Sequence, residues 1–279
     1  MFKALRGLAA STLLASAALV AVPAVAQDAG DPPSDLTVAG SVALVSDYRF
    51  RGVSQTDEEM AIQGGITVSH ASGVYAGTWA SNLSGWGTFG GANMELDLFG
   101  GYAMPLGDSG ATLDVGLTWY MYPGGFDDTD FAEPYVKLSG DYGPLSALIG
   151  VAYAPEQGAL ANVSNHPDSD GESEDNLYLW TDLSTAIPNT PITAKAHAGY
   201  SNGNPGLGPN GTSLAPTGEY VDWLIGLDAA VGPLTLGVAY TDTNLQYEDY
   251  EYLLPNFSST KDGSNIAGAQ VVFTLSAGF

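Results

Sequence analysis

Carboxylates are the reactive groups in which this sequence is richest, and their densest run is Asp168-Ser169-Asp170-Gly171-Glu172-Ser173-Glu174-Asp175. Asp168, Asp170 and Glu172 recur at every second position around a D-x-D-G core, oxygen chemistry that suits a hard cation such as calcium. The spacing does not complete an EF-hand loop, because Leu179 stands where the closing glutamate belongs and the glycine comes too early. A solvated acidic loop is the stronger expectation, with a calcium site at Asp168, Asp170 and Glu172 the weaker. A second group is Asp47-Tyr48-Arg49-Phe50-Arg51. In an extended chain Arg49 and Arg51 point to one side, where they form either a local positive spot near one mouth or, preferably, ion pairs with Glu95 or Asp97. His70, His166 and His197 could move protons, yet no G-x-S-x-G elbow accompanies them and no serine is singled out. With no cysteine there is no thiol nucleophile, thiolate metal site or disulfide. Neither an enzymatic activity nor a cofactor is expected.

The elements that position these residues alternate with period two. From Thr37 to Arg51, Val38, Gly40, Val42, Leu44, Ser46, Tyr48 and Phe50 share one face; Ala39, Ser41, Ala43, Val45, Asp47, Arg49 and Arg51 share the other. The pattern recurs at 60–69, 74–82, 94–103, 111–122, 131–141, 145–154, 176–186, 191–200, 219–230, 234–243 and 267–279. The eighth strand is ambiguous, since Leu177, Leu179 and Leu183 oppose the bulky Tyr178 and Trp180. The polar face collects Asp47, Glu95, Asp97, Asp114, Glu133, Asp182, Asp222 and Asp228, with Arg49, Arg51, Lys137 and Lys195. Confining charge to one face is what a wall between hydrocarbon and water requires. Ion pairing across a narrow lumen is the expected use of these groups, ahead of a dedicated selectivity site.

The chain opens with Lys3 and Arg6, an apolar stretch from Leu8 to Val22, and Ala24-Val25-Ala26. That is the layout of an export signal cleaved after Ala26; the stretch is shorter than the roughly 20 residues of a helical span. The expected organisation is a signal at 1–26, a short periplasmic segment at 27–36 and a barrel over 37–279. A formal net charge of −24 argues against nucleic-acid binding. Charged residues make up 14% of the chain, against about 25% in soluble domains. Beyond the signal no apolar run reaches 18 residues, which excludes a helical membrane protein.

Connections alternate in length: Ala71-Ser72-Gly73, 105–110, Tyr142-Gly143-Pro144, 187–190 and Val231-Gly232-Pro233 are short, while 155–175, 201–218 and 244–266 are long. Aromatics cluster near strand ends, at Tyr48, Phe50, Trp79, Trp119, Tyr153, Tyr200, Trp223 and Tyr240, as a membrane belt would place them. The expected fold is all-β, a closed antiparallel up-and-down transmembrane β-barrel of about 12 strands in the outer membrane of a Gram-negative cell, with the short turns periplasmic.

The segment Ser46-Asp47-Tyr48-Arg49-Phe50-Arg51-Gly52-Val53-Ser54-Gln55, followed by Ala61-Ile62-Gln63-Gly64-Gly65, by Gly73 to Asn82 and by Glu95-Leu96-Asp97, resembles the TorF family of porins. The likeness covers most of the mature chain; its first motif is specific and its later strands are generic. The resemblance implies an outer-membrane pore and carries no ligand residue with it. The alternation Val271, Phe273, Leu275, Ala277 and Phe279 looks like the terminal signal read by the barrel-assembly machinery. Expected partners are outer-membrane lipids, that machinery through Phe279, and small solutes. The expected function is passive diffusion of small hydrophilic solutes or ions with a mild cation preference; the alternative is a closed barrel acting through its acidic loops.

Overall fold

In the computed structural model, residues 35–126, 129–161, 171–203 and 214–279 are described. The expected export signal, most of the segment at 27–36, His166, Asp168 and Asp170 lie outside the described residues. Outward Val, Leu and Ile alternate with inward Ser, Thr, Gly and Tyr to give antiparallel strands that each pair with their sequence neighbours. They are β1 (Leu36–Val45), β2 (Ala61–His70), β3 (Val74–Asn82), β4 (Met94–Pro105), β5 (Ala111–Met121), β6 (Phe131–Tyr142), β7 (Leu145–Gln157), β8 (Glu174–Ala186), β9 (Ile192–Asn202), β10 (Glu219–Val231), β11 (Leu234–Thr243) and β12 (Gln270–Gly278). β1 closes onto β12, Ser41 opposite Gly278 through Val45 opposite Thr274, so these twelve strands form a closed barrel. Beyond that register Gly40 and Phe279 exchange backbone hydrogen bonds of 2.8 and 3.0 Å.

The outer face is apolar around the whole ring. Val42, Ile66, Leu98, Ile149, Ile225 and Phe273 all stand exposed. Soluble monomers rarely leave a patch larger than a few hundred Å² uncovered, so this band demands hydrocarbon. Inside, large rings lie over glycines on the neighbouring strand. Phe99 is opposite Gly77, Tyr75 opposite Gly101, Tyr135 opposite Gly116 and Trp180 opposite Gly150. A methyl group at any of these glycines would collide with the facing ring.

One expectation fails at the start of the barrel. β1 ends at Val45 rather than continuing to Arg51; Ser46 still donates to the Phe273 carbonyl of β12 at 2.9 Å, and the chain then turns inward. Arg49–Phe50 and Val53–Ser54 form a small hairpin. Its turn residues, Arg51 (φ 49°) and Gly52 (φ 82°), are both left-handed, as a two-residue hairpin of matching twist requires. Glycine is needed at 52 for a second reason: an added Cβ would lie 2.5 Å from Thr243 Cγ2 and 2.9 Å from Asp222 Cβ.

Candidate functional site in the lumen

The hairpin is the site's central element because its side chains reach nearly every side of the barrel. The Tyr48 ring packs on Trp79 of β3 at 5.4 Å, and its hydroxyl donates to Glu95 of β4 at 3.1 Å. Phe50 meets Tyr120 of β5 edge-on at 6.1 Å. Arg51 pairs with Glu133 of β6 at 2.6 Å, sits 4.1 Å from the ring centre of Tyr178 on β8, and receives at its carbonyl the Tyr220 hydroxyl of β10 at 3.0 Å. The Asn176 side-chain amide, with its oxygen turned toward Arg51, accepts from Nη1 at 2.7 Å. A segment touching all these walls is a plug.

Arg49 ties the plug to the last loop. Its Nε pairs with Asp47 at 2.5 Å, while Nη1 donates to the carbonyls of Gly52, Ile266 and Gly268 at 3.0, 2.8 and 3.1 Å. Asp47 also accepts from Ser54 at 2.6 Å and from Thr56 at 3.3 Å. Above this layer the loops close over an apolar cluster of Val53, Tyr220, Leu245, Leu253, Phe257 and Ile266. The loops are clamped in turn. Asp57 accepts from the hydroxyl of Thr260 and, at 2.9 Å, from its backbone N–H, while Lys261 pairs with Glu59 at 2.6 Å. Burial works to raise the Asp57 pKa, but the bonds from Thr260 and Ser259 and the nearby Lys261 charge outweigh it and hold the carboxyl below its usual value.

Toward the short turns the lumen changes character. Inward Ser41, Ala43, Thr67, Ser69, Thr193, Thr235 and Thr274 are small and partly exposed to solvent, so that half is a polar vestibule. At its inner end, bounded by Arg51, Glu133, Tyr135, Lys137, Tyr178 and His197, lies a cavity of about 120 Å³. That is room for several waters. Its charges are mutually paired: Lys137 with Asp114 at 2.9 Å, Lys195 with Asp228 at 2.8 Å, and His197 with Asp182 at 2.7 Å and Asp222 at 3.2 Å.

The structure thus places Asp47, Arg49, Arg51, Glu95, Asp97, Asp114, Lys137, Asp182, Lys195 and Asp228 inside the barrel, all buried or nearly so. Arg49 and Arg51 form no positive spot at a mouth, and neither pairs with Glu95 or Asp97; the inward hairpin carries them to Asp47 and Glu133 instead. Tyr48, Phe50 and Trp79 are interior residues rather than belt residues, whereas Trp119, Tyr153 and Tyr240 do face outward. Glu172 joins no group of ligating side chains, and among the described residues no cluster of three His or acidic residues is placed to hold a metal. Sequence reasoning did not find the tyrosine network, in which Tyr75 bridges Asp114 at 2.7 Å and Tyr135 at 2.5 Å. Its only trace is the placing of tyrosines at inward positions.

Twelve antiparallel strands, apolar without and polar within, around a lumen crossed by one inward hairpin define a porin-like β-barrel. The chain belongs to the Gcw_chp family, described as bacterial proteins of unknown function, whose model matches residues 29–279. No curated protein matches the chain. Among solved structures it is similar to a porin refined at 1.8 Å resolution (9% identity, 88% of this chain and 99% of the other, TM-score 0.40). It is similar also to Salmonella typhi OmpF in complex with daunomycin (7% identity, 88% and 97% covered, TM-score 0.43). A third is an outer membrane channel from Pseudomonas putida F1 (9% identity, 91% and 99% covered, TM-score 0.43). Likeness at this level says nothing of what these barrels carry in common.

Proposed function

We infer that this chain is a channel of the Gram-negative outer membrane that rests closed, with its long loops facing outward and its vestibule open to the periplasm. The observation that carries this reading is the division of the lumen into a vestibule lined by small polar residues and a separate hairpin that stops it. A wall built only to be solid has no use for an accessible polar half. Beside the packing of Tyr48, Phe50 and Val53, the hairpin is tied by ion pairs and hydrogen bonds to side chains and to one loop, and these polar contacts can be exchanged for water. When it withdraws, the lumen passes small hydrophilic solutes or ions by diffusion. Carboxylates outnumber cations along the path, which favours cations mildly. This deepens what the TorF resemblance implies. Outer-membrane lipids cover the apolar band, and the barrel-assembly machinery reads the strand ending in Phe279. No reaction is part of this reading.

The test is planar-bilayer recording of refolded barrels across a salt gradient. Wild type should open rarely and Arg49→Gln often, with a reversal potential on the cation side. An anion-side reversal potential would contradict the acidic path. Silence from verifiably folded Arg49→Gln barrels would transfer the assignment to a closed barrel acting through its loops. The apolar cluster under those loops favours that second reading, because it holds their outer surface in one shape.

A further inference from the structure

The buried cations of the lumen are all committed, yet two of its carboxylates have none. Glu95 and Asp97 stand two apart on the inward face of β4, at 3% and 2% exposure, and no ion pair among the described residues includes either. Glu95 accepts one hydrogen bond, from Tyr48 at 3.1 Å, and Asp97 Oδ1 has no partner. A neutral oxygen close by is in the same condition. Gln63, 3% exposed on β2, donates its amide N–H to Ser81 Oγ at 3.5 Å and leaves Oε1 buried without a donor. The register brings these groups together. Ser81 on β3 lies opposite Gln63 on one side and opposite Glu95 on the other, so the short serine stands in one row between the two longer side chains.

This is a surplus of buried oxygen acceptors with too few donors. Isolated charge is not left uncompensated in such surroundings, so something positive belongs here. Among the described residues no lysine or arginine is free to supply it, since Arg49, Arg51, Lys137, Lys195 and Lys261 are each engaged with other carboxylates. We propose that Glu95, Asp97 and the Gln63 carbonyl oxygen, with Ser81 beside them, bind a hard divalent cation of calcium's size. Carboxylate, amide and hydroxyl oxygens are the ligands such an ion takes, and its tolerance of irregular geometry suits a site drawn from three strands where magnesium's octahedral demand would not be met. Because Tyr48 belongs to the plug and bonds to Glu95, the ion fixes the wall against which the plug rests. The site stands whether or not the barrel conducts.

Terbium, a luminescent stand-in for calcium, tests it directly, because Tyr48 and Trp79 lie beside the site and sensitise a bound ion's emission. The detergent-refolded full-length barrel is stripped with chelator, titrated with terbium and competed with calcium, its folded state being checked by heat-dependent gel mobility. Wild type should show saturable emission displaced by calcium far better than by magnesium. The triple loop variant Asp168→Asn, Asp170→Asn, Glu172→Gln should behave like wild type. Glu95→Gln and Asp97→Asn should each weaken binding by roughly tenfold or more. Should these two fail to fold, Gln63→Leu, which removes only a neutral ligand, decides in their place by weakening binding or leaving it unchanged. The proposal is overturned by a folded wild type without sensitised emission, which would mean that protons alone neutralise the pair. Emission that disappears with the loop variant and survives in Glu95→Gln and Asp97→Asn overturns it equally.

Discussion

Arg49 and Ile266 are 217 positions apart in the chain and 2.8 Å apart in space, the guanidinium Nη1 donating to the carbonyl oxygen. The same nitrogen also reaches Gly268, so one side chain fastens the inward hairpin to the loop that precedes the closing strand. Replacing it with the shorter, neutral glutamine strands Asp47 as a buried charge.

Arg49→Gln is therefore expected to cost about 3–5 kcal/mol, the usual consequence of breaking one side of a buried pair. No pairing between barrel strands involves Arg49, so the barrel should still assemble. Denaturant titration of the refolded protein should show the loss, and limited proteolysis from the long-loop side should cut residues 46–58 faster than in wild type.

Arg51 and Glu133 make a stricter case, since both are buried and pair at 2.6 Å. Arg51→Met leaves Glu133 without compensation and should destabilise by about 3–5 kcal/mol. Adding Glu133→Leu removes the stranded charge, so the double variant should be more stable than Arg51→Met alone. A double-mutant cycle on unfolding free energies measures that coupling, and additive losses would mean that the two residues act separately.

The loop clamp depends on pH through Asp57. Its carboxyl is held below the ordinary value by Thr260, so its contribution to stability is complete above the unfolded pKa of about 3.9 and is lost as pH falls through the folded value. Trp86, whose ring meets Phe257 of the loop cluster at 4.9 Å, reports on this region. Its fluorescence change on acidification should move to higher pH in Thr260→Val. In Asp57→Asn the contribution of this group should be missing at every pH.

The outer face yields a test of membrane residence. Ile225 lies at the middle of β10 and is 60% exposed, so in a bilayer it meets the hydrocarbon midplane. Ile225→Arg should reduce the folding free energy into lipid vesicles by about 2–4 kcal/mol. An arginine at the inward, vestibule-lining Thr67 should be tolerated far better. Equal effects at the two positions would contradict a lipid-facing band.

Apart from the end of β1, the barrel strands were legible within a few residues, because lipid on one side and water on the other impose an alternation that runs the full length of each. The over-extension of β1 has the same origin. A hairpin is also extended, so Ser46, Tyr48 and Phe50 continue the beat of Val42 and Leu44 although the chain has left the wall. Arg51-Gly52 was the available sign of a turn, weak because the left-handed partner of the glycine is an arginine. Trp79 and Trp119 look alike in sequence, yet one faces inward and the other outward; only the strand's phase relative to its neighbours separates them. The ambiguity at Tyr178 and Trp180 resolves inward for a reason that lies on other strands, where Gly199 and Gly150 leave room for the rings. Glu133 as the partner of Arg51 could not be read at all, since it depends on where a folded-in segment comes to rest.

The join between β1 and β12 runs over five opposed residues with flanking bonds at Gly40–Phe279 and Ser46–Phe273, while the other edge of β1 is matched to β2 from Leu36 to Val45. β1 must therefore wait for β12. Until β12 has been made and delivered, β1 presents a free edge and the sheet remains an open ribbon, however complete its first eleven strands. Contacts of such sequence separation form slowly. The circle is thus completed by the strand that follows the other eleven in sequence, and closure belongs to Gly278 and its neighbours rather than to the inward hairpin.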